Sequence, residues 1–131
     1  MMELEATATD VIDAALLLHR QVGPGLLESV YEALLAAELG RRGHHVLRQQ
    51  PIDFTCNGMR SDGAFRVDLI VNQRLVIGTK SVERLAAVHT KQLLTYLRLM
   101  EQPLGLPINF GGETLREGLR RVVNTHHSFA P

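Results

Sequence analysis

Asp68 and Lys80 are the residues of this chain whose types and spacing best suit chemistry. Arg66-Val67-Asp68-Leu69-Ile70 is followed by Leu75-Val76-Ile77-Gly78-Thr79-Lys80. Two such apolar runs pair as strands, which sets a carboxylate beside a lysine. Alternation along a strand puts Gly78 and Lys80 on one face and Thr79 on the other. An acid and a lysine in an apolar setting suit metal-assisted phosphodiester hydrolysis. The carboxylate holds a divalent cation, and the lysine positions the attacking water or helps to deprotonate it. The competing reading is an ion pair at the end of a sheet, and pattern alone favours it.

Two further groupings stand nearby. His89, Gln92 and Tyr96 are spaced by three and four, so they project from one side of a helix, either as a polar stripe over a site or as an amphipathic boundary. Gly25-x-x-Glu28-x-x-Tyr31 sets Glu28 near a helix start, where a carboxylate also simply complements the helix dipole. Arg116, Arg120 and Arg121 make a basic stripe that fits phosphate contacts or an ordinary solvated face. His44-His45 would point to opposite faces of a strand, a poor chelate. His126-His127 fall in an expected tail, and His19 reads as a packing residue. Cys56 has no neighbouring signal for reactivity.

These residues need elements to hold them. A first helix is expected from Thr9 or Asp10, either able to cap the free N–H groups of the first turn, to the stop at Gly23-Pro24. A second runs from Leu26 to Arg42, with Leu27, Val30, Tyr31, Leu34 and Leu35 on its buried stripe. His45–Gln50 and Ile52–Asn57 read as strands divided by Pro51, an edge or a break. Asn57-Gly58 signals a tight turn, and Phe65–Val71 with Arg74–Lys80 forms a hairpin around Asn72-Gln73. A third helix, Glu83–Glu101, turns Leu93, Leu94, Leu97 and Met100 to the core. Leu104–Phe110 is a buried strand, and Thr114–Val123 a last helix opened by a capping-box spacing. The order ααββββαβα predicts an α/β sandwich around one mixed sheet.

Composition sets the limits. The 131 residues fit one domain over 1–131, with about 124–131 as a tail. Fourteen Lys and Arg balance fourteen Asp and Glu, so any affinity for nucleic acid must rest on a local patch. The lone Cys56 excludes an internal disulfide and a cysteine zinc site and suits a reducing cytosol. The start, Met1-Met2-Glu3-Leu4-Glu5, is acidic where a leader is basic, and Ala14–Leu18 is too short to span a bilayer. A cytoplasmic location and no membrane partner are expected.

The separate signals fall together in one resemblance. The chain resembles the GxxExxY family, whose motif stands here as Gly25-Leu26-Leu27-Glu28-Ser29-Val30-Tyr31, and which is assigned to the PD-(D/E)XK nuclease superfamily. The resemblance runs from His19-Arg20-Gln21-Val22-Gly23-Pro24-Gly25 through Arg66-Val67-Asp68-Leu69 and His89 to Leu97. It continues over Leu106-Pro107-Ile108-Asn109-Phe110-Gly111 to Arg120-Arg121-Val122-Val123-Asn124. Gln92-x-x-x-Tyr96 is similar to the Q-x-x-x-Y element of exonuclease-like branches. The resemblance implies a restriction-endonuclease-like core, a mixed central sheet flanked by helices, a Mg²⁺ or Mn²⁺ cofactor and a nucleic-acid substrate. By position it implies Asp68 as principal metal ligand, Glu28 as the helix acid near the metal and Lys80 as catalytic lysine. Gln92 and Tyr96 would flank the site and orient substrate or water, and the Thr79 carbonyl would face the metal.

One position departs from that pattern. The family has Glu-Leu-Lys before the lysine, and this chain has Gly78-Thr79-Lys80, so the second metal carboxylate is absent. Glu28 and Glu83 are the acids that would have to replace it. Two function classes follow: a nuclease impaired at position 78, or a catalytically inactive module that binds nucleic acid or protein on the same fold. A homodimer fits so small a nuclease-like domain.

Overall fold

The hydrophobic period switches from helical to alternating near residue 45, and the architecture follows it. The computed structural model describes residues 3–125. Met1, Met2 and residues 126–131 of the expected 124–131 tail, with His126 and His127, lie outside the described residues. α1 (Leu4–Val22) and α2 (Glu28–Arg41) precede β1 (Val46–Cys56), β2 (Met59–Val71) and β3 (Leu75–Lys80). Then come α3 (Ala87–Met100), β4 (Leu104–Asn109), a 3₁₀ turn (Arg116–Gly118) and β5 (Val122–Val123). The strands form one mixed sheet in chain order, β1-β2-β3-β4-β5. All neighbours are antiparallel except β3 and β4, the parallel pair that α3 connects.

Helices cover both faces. α1 and α2 bury Ala15, Tyr31 and Leu35 against Leu69, Ile77 and Ile108 on one side. α3 buries Leu93 and Leu97 against Val67, Ile70 and Val76 on the other. It comes close to β4 because Gly105 has no side chain: a Cβ there would lie 3.0 Å from Leu93 Cδ2. The expected α/β sandwich with a mixed central sheet is the fold observed. No described helix is long and apolar enough to cross a membrane.

Several boundaries differ from expectation, each for a tertiary reason. α1 starts at Leu4, before Thr9 and Asp10, because Thr7 and Ala8 are buried and extend the packed face. β1 is one strand through Pro51, which the outer position of β1 tolerates. β2 begins at Met59 rather than Phe65, since Asn57 and Gly58, both at positive φ, form the tip of a long β1–β2 hairpin. On α2 only part of the expected stripe is buried. Tyr31 and Leu35 face the core, whereas Leu27, Val30 and Leu34 face solvent. Those five positions spread over well more than the roughly 100° stripe that one core contact covers. α3 starts at Ala87, not Glu83.

The last expected helix, Thr114–Val123, is not one. It is a 3₁₀ turn followed by β5, which pairs with Leu104 and Gly105 on the open edge of β4. Asn124, expected to open the tail, is instead buried, and its amide donates to the Leu97 and Gln102 carbonyls, which holds the chain to that point.

A polar cluster ties α1, α2 and the start of β1. Asp10 accepts from His44 Nε2 at 2.6 Å and from Arg42 at 2.8 Å, and Arg42 also binds Asp13 and Glu38. Asn72 accepts from the His45 N–H through Oδ1, so its amide donates to His44 Nδ1. That leaves the His44 proton on Nε2, facing Asp10. The bond to His44, followed by Arg42, holds the Asp10 carboxyl below the usual carboxylate range. A depressed folded pKa stabilises above the unfolded value and is lost as pH falls through the folded one. Asp10→Ala is therefore expected to cost about 1–3 kcal/mol at neutral pH, because it strands the buried His44 N–H. In urea titrations the gap from wild type should narrow steadily in acid; a gap that stays constant with pH would refute the linkage.

Candidate functional site

The site arises where β2 parts from β3. Their pairing reaches Leu69↔Ile77, whereas β3 stays paired with β4 as far as Lys80↔Asn109. Asp68 fills the place of the missing strand neighbour. Its Oδ2 accepts from the Thr79 N–H at 2.8 Å and the Thr79 hydroxyl at 3.2 Å, and its Oδ1 accepts from Gln49 Nε2 at 3.2 Å. Three neutral donors thus hold the carboxylate.

Gln49 was not foreseen, and its backbone is unusual. It sits at φ +50° within β1, and the register passes over it: Arg48 pairs with Leu69 and Gln50 with Val67. A non-glycine residue there costs on the order of 1–3 kcal/mol. The twist turns its amide toward Asp68 and toward Glu32 Oε1, 2.6 Å away. Glu32 is buried on α2, and its other oxygen receives the Arg48 guanidinium at 3.1–3.2 Å. Glu32 had one legible signal, an acid four residues past Glu28 on the inward side of the helix. Gln49 had none.

Asp68, Gly78, Lys80, Gln92 and Tyr96 line one cleft of about 170 Å³, joined by Arg66 and His89. Lys80 is half-buried and forms no ion pair among the described residues. The alternative of a sheet-end Asp68–Lys80 ion pair is therefore not what forms. His89 accepts the Ala86 N–H through Nδ1 and so caps α3. Tyr96 stacks on Phe65 with centroids 4.1 Å apart and planes 12° from parallel, which fixes that wall of the cleft. At Gly78 an added Cβ would meet no atom within 4 Å, and its φ lies outside the left-handed region. The space is open and sterically ordinary.

The other expected residues stand elsewhere. Glu28 is exposed at the first position of α2 and does not line the cleft. Its motif neighbours shape the approach to that helix. Gly25 takes φ +107°, and the Tyr31 hydroxyl donates to the Gly23 carbonyl while accepting the Leu26 N–H. Tyr31 also stacks on Phe110 at 4.6 Å, and Ser81, next to Lys80, donates to the Leu26 carbonyl at 2.6 Å. Glu83 lines a different hollow, with Arg84, Asn109 and Arg120. Arg116, Arg120 and Arg121 are exposed but form no helical stripe, because their segment is not a helix. Arg120 donates to the Glu117 and Leu119 carbonyls, and Arg121 pairs with Glu5.

Mg²⁺ and Mn²⁺ are hard cations that need anionic oxygen. Among the described residues Asp68 is the only carboxylate that lines the cleft, and both its oxygens are already bonded. Glu32 is neutralised by Arg48, and among the described residues no three His, Cys, Asp or Glu side chains converge on a metal position. These donors do not fit a resident divalent cation. A family model described as the PD-(D/E)XK nuclease superfamily matches residues 5–122. No curated protein and no solved structure matches the chain.

Proposed function

This chain belongs to the PD-(D/E)XK nuclease superfamily, and from that premise we propose a nuclease-like protein that binds a nucleic-acid phosphodiester in the Asp68–Lys80 cleft, with hydrolysis impaired by the glycine at position 78. The carrying observation is the cleft itself: Lys80 unpaired, Asp68 fixed, and open space at Gly78 between them in sequence. Lys80 and Arg66 supply positive charge for a phosphate, and Gln92 and Tyr96 supply hydrogen bonds and an aromatic edge for its sugar or base. Asp68 keeps Thr79 and the end of β3 in place and presents negative charge to one side of the bound group.

Divalent metal supplies charge neutralisation and an activated water in nucleases of this kind. With one carboxylate, this cleft draws little of that chemistry from its own residues, so binding outlasts turnover. The narrower GxxExxY assignment is supported by Gly25 and Tyr31, whose positions the motif explains structurally, and Glu28 belongs to that motif without reaching the cleft. A cytoplasmic location is part of the same reading.

Fluorescence anisotropy with short single- and double-stranded DNA and RNA tests the proposal. Binding is expected to fall about tenfold in Lys80→Ala, the loss of one charged hydrogen bond, and to weaken steeply with added salt. Cleavage with Mg²⁺ or Mn²⁺ is expected to stay at the background rate, since one carboxylate does not hold the metal. Affinity untouched by Lys80→Ala would place the nucleic acid elsewhere, and no binding to any of the four would end the reading.

A further inference from the structure

α2 carries a second apolar stripe that the fold leaves uncovered. Leu27, Val30, Leu34, Ala37 and Arg41 follow one another at spacings of three, four, three and four. That is the seam period of paired helices. None of these side chains faces the core: Leu27 is 74% exposed, and Val30 and Leu34 nearly 40%. Beside the stripe, Leu34 and Ala37 open onto a shallow groove of about 200 Å³ against Leu17 and Leu18 of α1. A surface helix is ordinarily polar on its outer face, so this stripe is the anomaly that needs a partner.

We propose that the partner is a second copy of this chain, with the two α2 helices packed antiparallel across a two-fold axis at Leu34. Three observations favour self-association. The stripe is nearly symmetric about Leu34, with Leu27 and Arg41 each seven residues away and Val30 and Ala37 four and three away. Reversed about Leu34, it sets Leu27 on Arg41 and leaves Val30 and Ala37 one residue out of register, close enough for the self-complementary contact of a two-fold interface. Its ends carry opposite charges. Glu28 has no ion-pair partner among the described residues, and the Arg41 side chain, though bonded to Glu38, is 76% exposed. Antiparallel packing brings the Arg41 end of each copy to the Glu28 end of the other, with the Arg41 stem over Leu27. The chain is also neutral overall, 14 charges of each sign, so two copies do not repel. An anionic membrane or a strongly charged protein would instead call for a rim of one sign.

Sedimentation equilibrium of the full chain at tens of micromolar tests this, with circular dichroism and melting as checks on folding. Wild type is expected to be a dimer. Leu34→Glu, which sets two like charges at the axis, should raise the dimer Kd by at least about thirtyfold, with an unchanged spectrum because the position is exposed. Val30→Lys gives the same reading should Leu34→Glu fold poorly. In a Cys56→Ser background, Leu34→Cys should form a disulfide-linked dimer under mild oxidation, whereas Val88→Cys on exposed α3 should not. A monomeric wild type overturns the proposal. So does a dimer that survives Leu34→Glu and Val30→Lys while Leu34→Cys stays uncross-linked.

Discussion

Gly78→Glu is expected to raise the affinity for Mg²⁺ and Mn²⁺ on the order of tenfold or more, since it adds a charged oxygen ligand to a cleft that has one. The backbone accepts the change. Position 78 has an ordinary φ and no atom within 4 Å of an added Cβ, and losing a strand glycine stabilises by about 0.4–1 kcal/mol through the unfolded chain. The new carboxylate would share its strand face with Lys80 and open toward Asp68. Cleavage of a bound oligonucleotide should rise in step, because charge neutralisation and water activation are what the cleft lacks. Calorimetric metal titrations of wild type and Gly78→Glu, each with and without Asp68→Ala, check this, paired with cleavage assays over both metals. A folded Gly78→Glu with wild-type metal affinity defeats this reading of position 78. That result would mean the new acid had turned to Lys80 instead.

Gly111→Ala is expected to be strongly destabilising, at about 2–4 kcal/mol. A Cβ there would stand 2.3 Å from the Val82 carbonyl oxygen and 2.6 Å from the Val82 nitrogen. Neither side can retreat cheaply. Asn109 grips the same two atoms, its Oδ1 accepting the Val82 N–H at 2.9 Å and its amide donating to the Val82 carbonyl at 2.8 Å. Gly111 itself donates to Asn109 Oδ1 at 3.0 Å, and the Phe110 N–H bonds the Lys80 carbonyl at 2.8 Å. Val82 lies two residues past Lys80, so nucleic-acid affinity should fall with stability. Gly112→Ala is the control: its nearest neighbour is 3.5 Å away, an ordinary contact, and it should cost under about 0.5 kcal/mol. Equal losses for the two variants in urea titration would show that the clamp around Val82 is loose.

Local physics made the strands and the cleft legible. The runs around Asp68 and Lys80 pair because both are apolar and bounded by turn residues, and the three-and-four spacing of His89, Gln92 and Tyr96 put them on one side of a helix. The turn at Asn57-Gly58 needs positive φ at two successive positions, which few other pairs accept. The misreadings share a cause. Thr114–Val123 has helical spacing, but a bare strand edge at Leu104 captured it. Glu28 has the motif position, but the fold buries Glu32, one turn later, in its stead. Gln49 reaches Asp68 through a backbone conformation that no side-chain pattern encodes. The outward stripe of α2 reads as core in the sequence because a sequence shows that residues are apolar, not what covers them.

The β1–β2 hairpin has a mechanical consequence. β3 pairs only with the last residues of β2, so from Phe65 outward to the Asn57-Gly58 tip the hairpin is a two-stranded ribbon. Such a ribbon has little rigidity of its own. Near its root Phe65 stacks on Tyr96 of α3 and Ile52 packs against the same cluster, and Tyr96 is a wall of the cleft. Ribbon and cleft therefore share the Phe65–Tyr96 contact. The stacking adds about 0.5–1.5 kcal/mol beyond the buried area. Through Tyr96, the position of the ribbon is tied to the wall of the cleft beside Lys80.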